Sequence, residues 1–314
     1  PAQSSGPFTG IAQVAYDHGV VGLTSGTSAP EAESSEFVVV MVGFTPGDEG
    51  EEYTIPSGGD RASLDLPGSQ AQLVNDVLML DKPTVIVVQS GSIVNTPWLT
   101  HPNQKQATVW AGYGGMRGGA ALGKLLFGDA NFGGKLPIVW PAQNSLPAFK
   151  DQPNATSMSY FVGYRYYDRR AVSGGEPELV FPFGHGLSYT TFAYSNPVVP
   201  CAEVSSSAVL EVTVDVTNTG AVRGDEVAFL FVAGPESSGT GQRSVKELKS
   251  FERVSLSPGE TRTVRLPVRI QDLRHWEGGE SGRWVVDAGT YSLLVGPSAA
   301  SEDLVLAGTF TVAD

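Results

Sequence analysis

The sequence is poor in cysteine, in bases and in long apolar runs, and each shortage narrows what the chain does. A single cysteine, Cys201, in 314 residues excludes an internal disulfide and a cysteine-rich zinc site. Lysine and arginine number 20 against 33 acids, for a net charge of −13. Phosphate backbones and anionic membranes need a basic face, and no basic patch interrupts the acidity, so neither partner is expected. No apolar run reaches the roughly 18 residues that mark a transmembrane helix. No secretory signal is visible at Pro1-Ala2-Gln3, which fits a processed end. The histidines, His18, His101, His185 and His275, lie far apart without an H-x-x-x-H pair, so no metal site is expected. His185, between two glycines, reads as a packed structural residue. A serine nucleophile in a G-x-S-x-G elbow is missing.

Two nucleotide-binding motifs begin and then fail. Gly118-Gly-Ala-Ala-Leu-Gly123-Lys124 follows a phosphate-binding loop up to Leu125, where a magnesium-binding Ser or Thr is required. The segment also reads as a helix and not as a loop before one. Gly112-Tyr-Gly114 is not followed by the third glycine of a dinucleotide fingerprint. No cofactor is therefore expected.

What is present is a core-forming composition, 41% hydrophobic, in a chain long enough for two domains. Residues 37–42, 84–89, 107–110 and 136–140 are short apolar, β-branched runs that read as strands. A helix is predicted after Pro67, with Leu73, Val74, Val77 and Leu78 at helical spacing, and a second around residues 118–127. Apolar strands separated by helices imply a mostly parallel sheet covered on both faces. The first 30 residues open on no complete strand–helix unit, so the chain is expected to begin part-way through a domain. From about residue 193 the period changes to two. Leu210, Val212, Val214 and Val216 alternate with polar residues, and strands are also predicted at 227–232, 261–268, 290–296 and 309–312. Short alternating strands with turn signals indicate a β-sandwich of immunoglobulin or fibronectin type III character. The expected class is α/β plus all-β: an α/β sandwich over residues 1–192, ending in an aromatic-rich connection, then a fibronectin type III-like domain over residues 193–314.

The organising stretch is residues 42–67, VGFTPGDEGEEYTIPSGGDRASLDLP. It leaves the C-terminal end of a predicted strand, where open α/β sheets place their ligand sites. Asp48, Glu49, Glu51, Glu52 and Asp60 precede one base, Arg61. Spacing alone reads this as a solvated charge run or as a loop that presents a carboxyl group to a substrate. Asn154-Ala-Thr156 fits a glycosylation acceptor, a pattern short enough to recur by chance.

Several segments together resemble glycoside hydrolase family 3, the β-glucosidase and β-xylosidase family. EFVVVMVG, the acidic loop, GGDRASLDLPGSQAQL, TVIVVQSGSIVNTPWL and VWAGYGGMRGGAALGKLLFGDANFGGKLPIVWP look like its second domain. FVGYRYYD and LVFPFGHGLSYTTFAYS resemble its most specific signatures, and VDVTNTGAVRGDEVAFLFV through DAGTYSLLVG its C-terminal fibronectin-like domain. The resemblance implies a retaining β-glycosidase, with a β-glucoside as substrate and a β-xyloside as the alternative. In that family an N-terminal (β/α)8 barrel carries the nucleophilic aspartate, and this loop supplies the acid/base glutamate. Aligning the loop on Tyr53 makes Glu51 that residue. Glu52 occupies the family's usual glycine and is the alternative, with Glu49 third. Asp60-Arg61 match the family's Asp-Arg pair, expected to brace the loop. Gly115-Met-Arg117 departs from the family's usual Gly-Gln-Glu. Tyr53 and Trp98 are aromatics that stack on sugars or, for Trp98, pack in the core.

The resemblance lacks the barrel and the first strand of the sandwich domain. The chain is thus expected to be the C-terminal portion of such an enzyme, working with a barrel in another chain or segment. The competing reading is a non-catalytic carbohydrate-binding or scaffold module. Family habit implies secretion or a periplasmic location.

Overall fold

The computed structural model describes the chain except residues 1–5, 21, 46–47, 49–60, 62, 143–149, 153–154, 158–159, 176–178, 201–202, 236–242, 279–280 and 314, and gives the backbone alone for 150–152 and 155–157. Glu49, Glu51, Glu52, Tyr53, Asp60, Asn154 and Cys201 lie outside the described residues. The chain folds as two compact units, Pro1–Ala130 and Asn131–Asp314.

The first unit contains α1 (Pro7–Asp17), β1 (Val38–Gly43), α2 (Gln70–Leu78), β2 (Thr84–Gln89), β3 (Gln106–Trp110) and α3 (Gly118–Leu126). The strands form a parallel sheet in the order β1-β2-β3, with Val40 beside Ile86 and Ile86 beside Thr108. The β2 run buries Ile86, Val87 and Val88 completely, as expected of a strand covered on both faces. The apolar stripe of α2, Val74, Val77 and Leu78, is buried as its spacing predicts. This helix starts at Gln70, three residues beyond Pro67, with Ser69 at its N-cap.

The glycines of the failed phosphate-binding motif have a packing role. A β-carbon on Gly10 of α1 would overlap the backbone of Gly119 in α3, and one on Gly119 would overlap Gly6. The two helices therefore touch backbone to backbone, which only glycine permits. α1 itself escaped the sequence reading because its buried face is made of small residues, Gly10, Ala12 and Ala15, around Ile11 and Val14.

The second unit opens with β4 (Trp140–Pro141), the short hairpin β5 (Lys150–Gln152) and β6 (Ala155–Ser157), α4 (Tyr164–Val172) and β7 (Leu179–Phe181). It continues through β8 (Phe192–Val198), β9 (Glu203–Val204), β10 (Val209–Asn218), β11 (Gly224–Ala233), β12 (Glu247–Leu256) and β13 (Thr261–Arg269). β14 (His275–Glu277), β15 (Arg283–Val285), β16 (Gly289–Gly296) and β17 (Val305–Val312) complete it. One sheet runs β13-β10-β8 and the other β12-β11-β16-β17-β9. Their inner faces enclose one core, where Val212, Val214, Val216, Leu230, Leu266 and Leu293 are fully buried. The alternation of β10 is the source of that burial.

Residues 136–140 are not a fourth parallel strand. Only Trp140 and Pro141 pair, and they do so antiparallel to β7. Pro137 donates no ladder bond, while the backbone of Leu136 bonds instead to His185 O and Gly184 N, both at 2.8 Å. Residues 131–192, read from the sequence with the first domain, pack with the sandwich. Tyr164 of α4 meets Phe183 at 5.5 Å and Phe231 at 5.7 Å between ring centroids, and its hydroxyl accepts the Leu248 N–H at 2.9 Å. His185 stacks on Phe181 at 4.6 Å, the structural role its setting suggested. Burial and the charge of Lys135 hold its imidazole below the usual histidine range.

Candidate functional site

The site is the C-terminal edge of the parallel sheet, where both stems of the acidic loop are anchored. β1 ends at Gly43, with φ at +154°. A β-carbon there would overlap the carbonyl oxygen of Gln89 at the end of β2. Phe44 N–H then donates to that same oxygen at 3.0 Å. The Gln70 side-chain amide closes the corner: its Oε1 accepts the Gly43 N–H at 2.7 Å, and its Nε2 donates to Gly43 O at 2.9 Å. The loop thus leaves from a backbone position fixed by strand and helix together. Gly43→Ala is expected to lower stability by about 2–4 kcal/mol, from overpacking and a strained φ. Urea unfolding measures it, and an unchanged midpoint would contradict this close approach.

The outgoing stem turns at once. Asp48 accepts the Thr45 hydroxyl at 2.7 Å and the Thr45 N–H at 2.8 Å. These bonds, the hydroxyl's first, hold its carboxyl below the usual carboxylate range. Asp48 is therefore an ionised turn residue and not a proton donor. The returning stem enters at Arg61, whose guanidinium lies 4.5 Å from the Phe44 ring centroid. It also donates to Ser92 Oγ, and to Ile93 O at 3.2 Å. The cation–π contact joins the two stems directly. Beyond it Asp65 accepts Asn95 Nδ2 at 2.6 Å and Ser63 Oγ at 2.9 Å, in that order the causes that depress its pKa. Asn95 N–H donates to Leu64 O at 2.8 Å, tying the stem to the connection after β2.

Of the residues predicted for the site, Glu51, its alternative Glu52 and Glu49 all lie outside the described residues. The bracing function expected of Asp60-Arg61 rests, within the described residues, on Arg61 with Phe44, Ser92 and Ile93. Trp98 is core: it is buried, and its Nε1 donates to Thr108 Oγ1 at 3.1 Å. Gln70 and the Asp65–Asn95 pair were not singled out from the sequence, and no local signal marks them. Beyond β3, Tyr113 and Met116 stand exposed on the loop before α3, at the same edge of the sheet. Met116 belongs to the segment that departs from the family pattern. Among the described residues no group of three or more His, Cys, Asp or Glu is placed to hold a metal ion.

The family model described as "Glycosyl hydrolase family 3 C-terminal domain" matches residues 3–189. The chain belongs to glycosyl hydrolase family 3. A second match, to a fibronectin type III-like domain, spans residues 226–299 and falls on the β-sandwich. The chain is 35% identical over 280 residues to a beta-xylosidase of Formosa agariphila, covering 87% of this chain and 35% of that protein. It is likewise 35% identical over 281 residues to thermostable beta-glucosidase B of Acetivibrio thermocellus, covering 88% and 35%. Among solved structures, a beta-D-glucoside glucohydrolase from Trichoderma reesei superposes with a TM-score of 0.82 at 27% identity, over 98% of this chain and 45% of that one. The family 3 chain therefore spans about a third of the length of these curated relatives. Its matched segment of 3–189 runs across the boundary at Ala130, so the family description and the compact packing divide the chain differently.

Proposed function

We propose that this chain is part of a retaining β-glycosidase that removes terminal β-linked glucose from oligosaccharides, and that Glu51 is its acid/base. The anchoring of the acidic loop at the C-terminal edge of the sheet carries the reading: Gly43, Gln70 and Arg61 hold both stems of one carboxylate-bearing loop. Retaining glycosidases need two carboxyl groups about 5–5.5 Å apart, one as nucleophile and one as acid and then base. This chain supplies the second. A barrel, in the same enzyme or as a separate chain, supplies the nucleophilic aspartate. In glycosylation Glu51 protonates the departing glycosidic oxygen while the aspartate attacks the anomeric carbon. In deglycosylation its carboxylate takes a proton from the incoming water, and the glycosyl–aspartate bond breaks. The barrel face over the loop would keep Glu51 protonated by desolvation. β-Xyloside is the alternative substrate, favoured by the resemblance to the Formosa beta-xylosidase. The enzyme is read as secreted or periplasmic.

The test is Glu51→Gln, assayed with the barrel present on cellobiose and on an activated aryl β-glucoside. An activated leaving group needs little protonation, so the aryl glucoside should keep much of its glycosylation rate and cellobiose should lose it. Equal losses on both would contradict the assignment. A larger selective loss in Glu52→Gln would move the function to its neighbour.

A further inference from the structure

The hairpin of β14 and β15 presents a corner of two indoles to solvent. The chain holds five tryptophans. Trp98 and Trp140 are buried, but Trp276 and Trp284 are 48% and 59% exposed. They sit directly opposite each other across the hairpin, with ring centroids 5.6 Å apart and planes at 76°.

Their exposure follows from how the hairpin is fastened. Side chains alternate faces along a strand, so His275 and Val285 share the face opposite the indoles. Arg243 donates to His275 Nδ1 and to Asp287 Oδ2. Because arginine only donates, Nδ1 accepts and the His275 tautomer is set. Asp287 is held in turn, its carbonyl accepting the Tyr291 hydroxyl at 2.8 Å. With His275 turned inward by that anchor, Trp276 and Trp284 turn out. A β-carbon on Gly282 would overlap Glu277 O and Gly278 O and lie 2.7 Å from the Trp276 indole nitrogen, so the turn backbone and that ring both pack closely on this glycine. Arg274 places its guanidinium over the Trp284 ring, 5.3 Å from the centroid, and so packs on part of that indole.

We propose that this corner binds one pyranose ring of a neutral polysaccharide whose hydroxyls are all equatorial, such as a β-glucan or a xylan. Such rings turn axial C–H groups to both faces, and these lie on the electron-rich face of an indole. The equatorial hydroxyls at the rim are within reach of a guanidinium donor such as Arg274. The two rings already touch edge to face, so the sugar would stack on the solvent-facing part of one indole beside the other. A protein partner would need about 800 Å² on this side, whereas two indoles supply roughly 150–250 Å² each. The net charge of −13 disfavours an anionic polymer.

The test is native affinity electrophoresis of the full chain in gels containing soluble barley β-glucan, with gels free of polysaccharide as control. The expected result is retardation by the glucan, weakened about tenfold in Trp276→Ala and in Trp284→Ala. Trp284→Phe should recover part of it. Arg274→Ala, which keeps both tryptophans but removes the guanidinium packed on Trp284, should also weaken it and covers the case in which a tryptophan variant fails to fold. Retardation should persist in Glu51→Gln, and Trp276→Ala, assayed with the barrel present, should hydrolyse an aryl glucoside at the unmodified rate, so this site and the catalytic assignment fail independently. Wild-type mobility unchanged by the glucan would overturn the proposal. So would equal retardation of all variants, or a concentration-dependent dimer that the tryptophan substitutions abolish.

Discussion

Glu51→Gln is expected to lower kcat/KM on cellobiose by about 10²–10⁴-fold, the usual contribution of a positioned general acid. It is also expected to remove the alkaline limb of the pH profile. That limb records ionisation of the acid, since only the protonated carboxyl can give a proton to the leaving oxygen. A glutamine has no proton to lose in this range, so activity should stay low and level as pH rises. The acidic limb, set by the nucleophile that must be ionised, should remain. If the variant kept both limbs, another group would be donating the proton. Asp48 is a poor substitute, because the Thr45 hydroxyl and N–H stabilise its charged form.

Lys246→Met is expected to cost about 3–5 kcal/mol of stability near neutral pH, because it strands a buried carboxylate. Lys246 Nζ lies 2.7 Å from Asp168 Oδ2, with the two side chains only 3% and 16% exposed. The pair joins α4 to the start of β12, beside the Tyr164 contact with Phe231. Burial raises the Asp168 pKa above its ordinary value, and Lys246 opposes that shift without cancelling it. An acid raised on folding binds protons more tightly in the native state. It therefore favours folding below its unfolded pKa of about 3.9, and the benefit is lost as pH rises through the folded value. Without Lys246 the folded value rises further. The destabilisation should thus be small at low pH and grow through the weakly acidic range, as urea titrations at several pH values would show. Replacing both residues, Lys246→Met with Asp168→Leu, should recover most of the loss. A penalty independent of pH would contradict the account.

Much of this architecture was legible because the burial pattern is simple. β2 and β10 are read from period and branching, since their buried residues are apolar apart from Thr84 and Asn218 at the strand ends. β12 was missed because Lys249, Glu252 and Arg253 interrupt its apolar residues. β8 was missed because it holds Pro197 and leaves much of its length exposed. The 136–140 run was misread as a parallel strand because apolar content alone does not choose a partner; the backbone of residues 184–185 does. At the site, the family motif located the acidic loop, but the corner that anchors it was not legible. Gln70 reaches Gly43 across 27 residues, and Arg61 reaches Ser92 across 31, contacts that no local pattern encodes. The hairpin tryptophans were invisible for the same reason, since their exposure depends on Arg243 holding His275 on the other face.

The most direct measurement of the central claim is the product formed when azide is added to Glu51→Gln turning over an activated aryl β-glucoside. Without the base, the glycosyl–enzyme intermediate is slow to react with water, whereas azide, already anionic, needs no proton removed. The account predicts faster turnover and accumulation of β-glucosyl azide, with retained configuration, in Glu51→Gln and not in the unmodified enzyme. No azide adduct from Glu51→Gln, or an adduct from Glu52→Gln in its place, would contradict it.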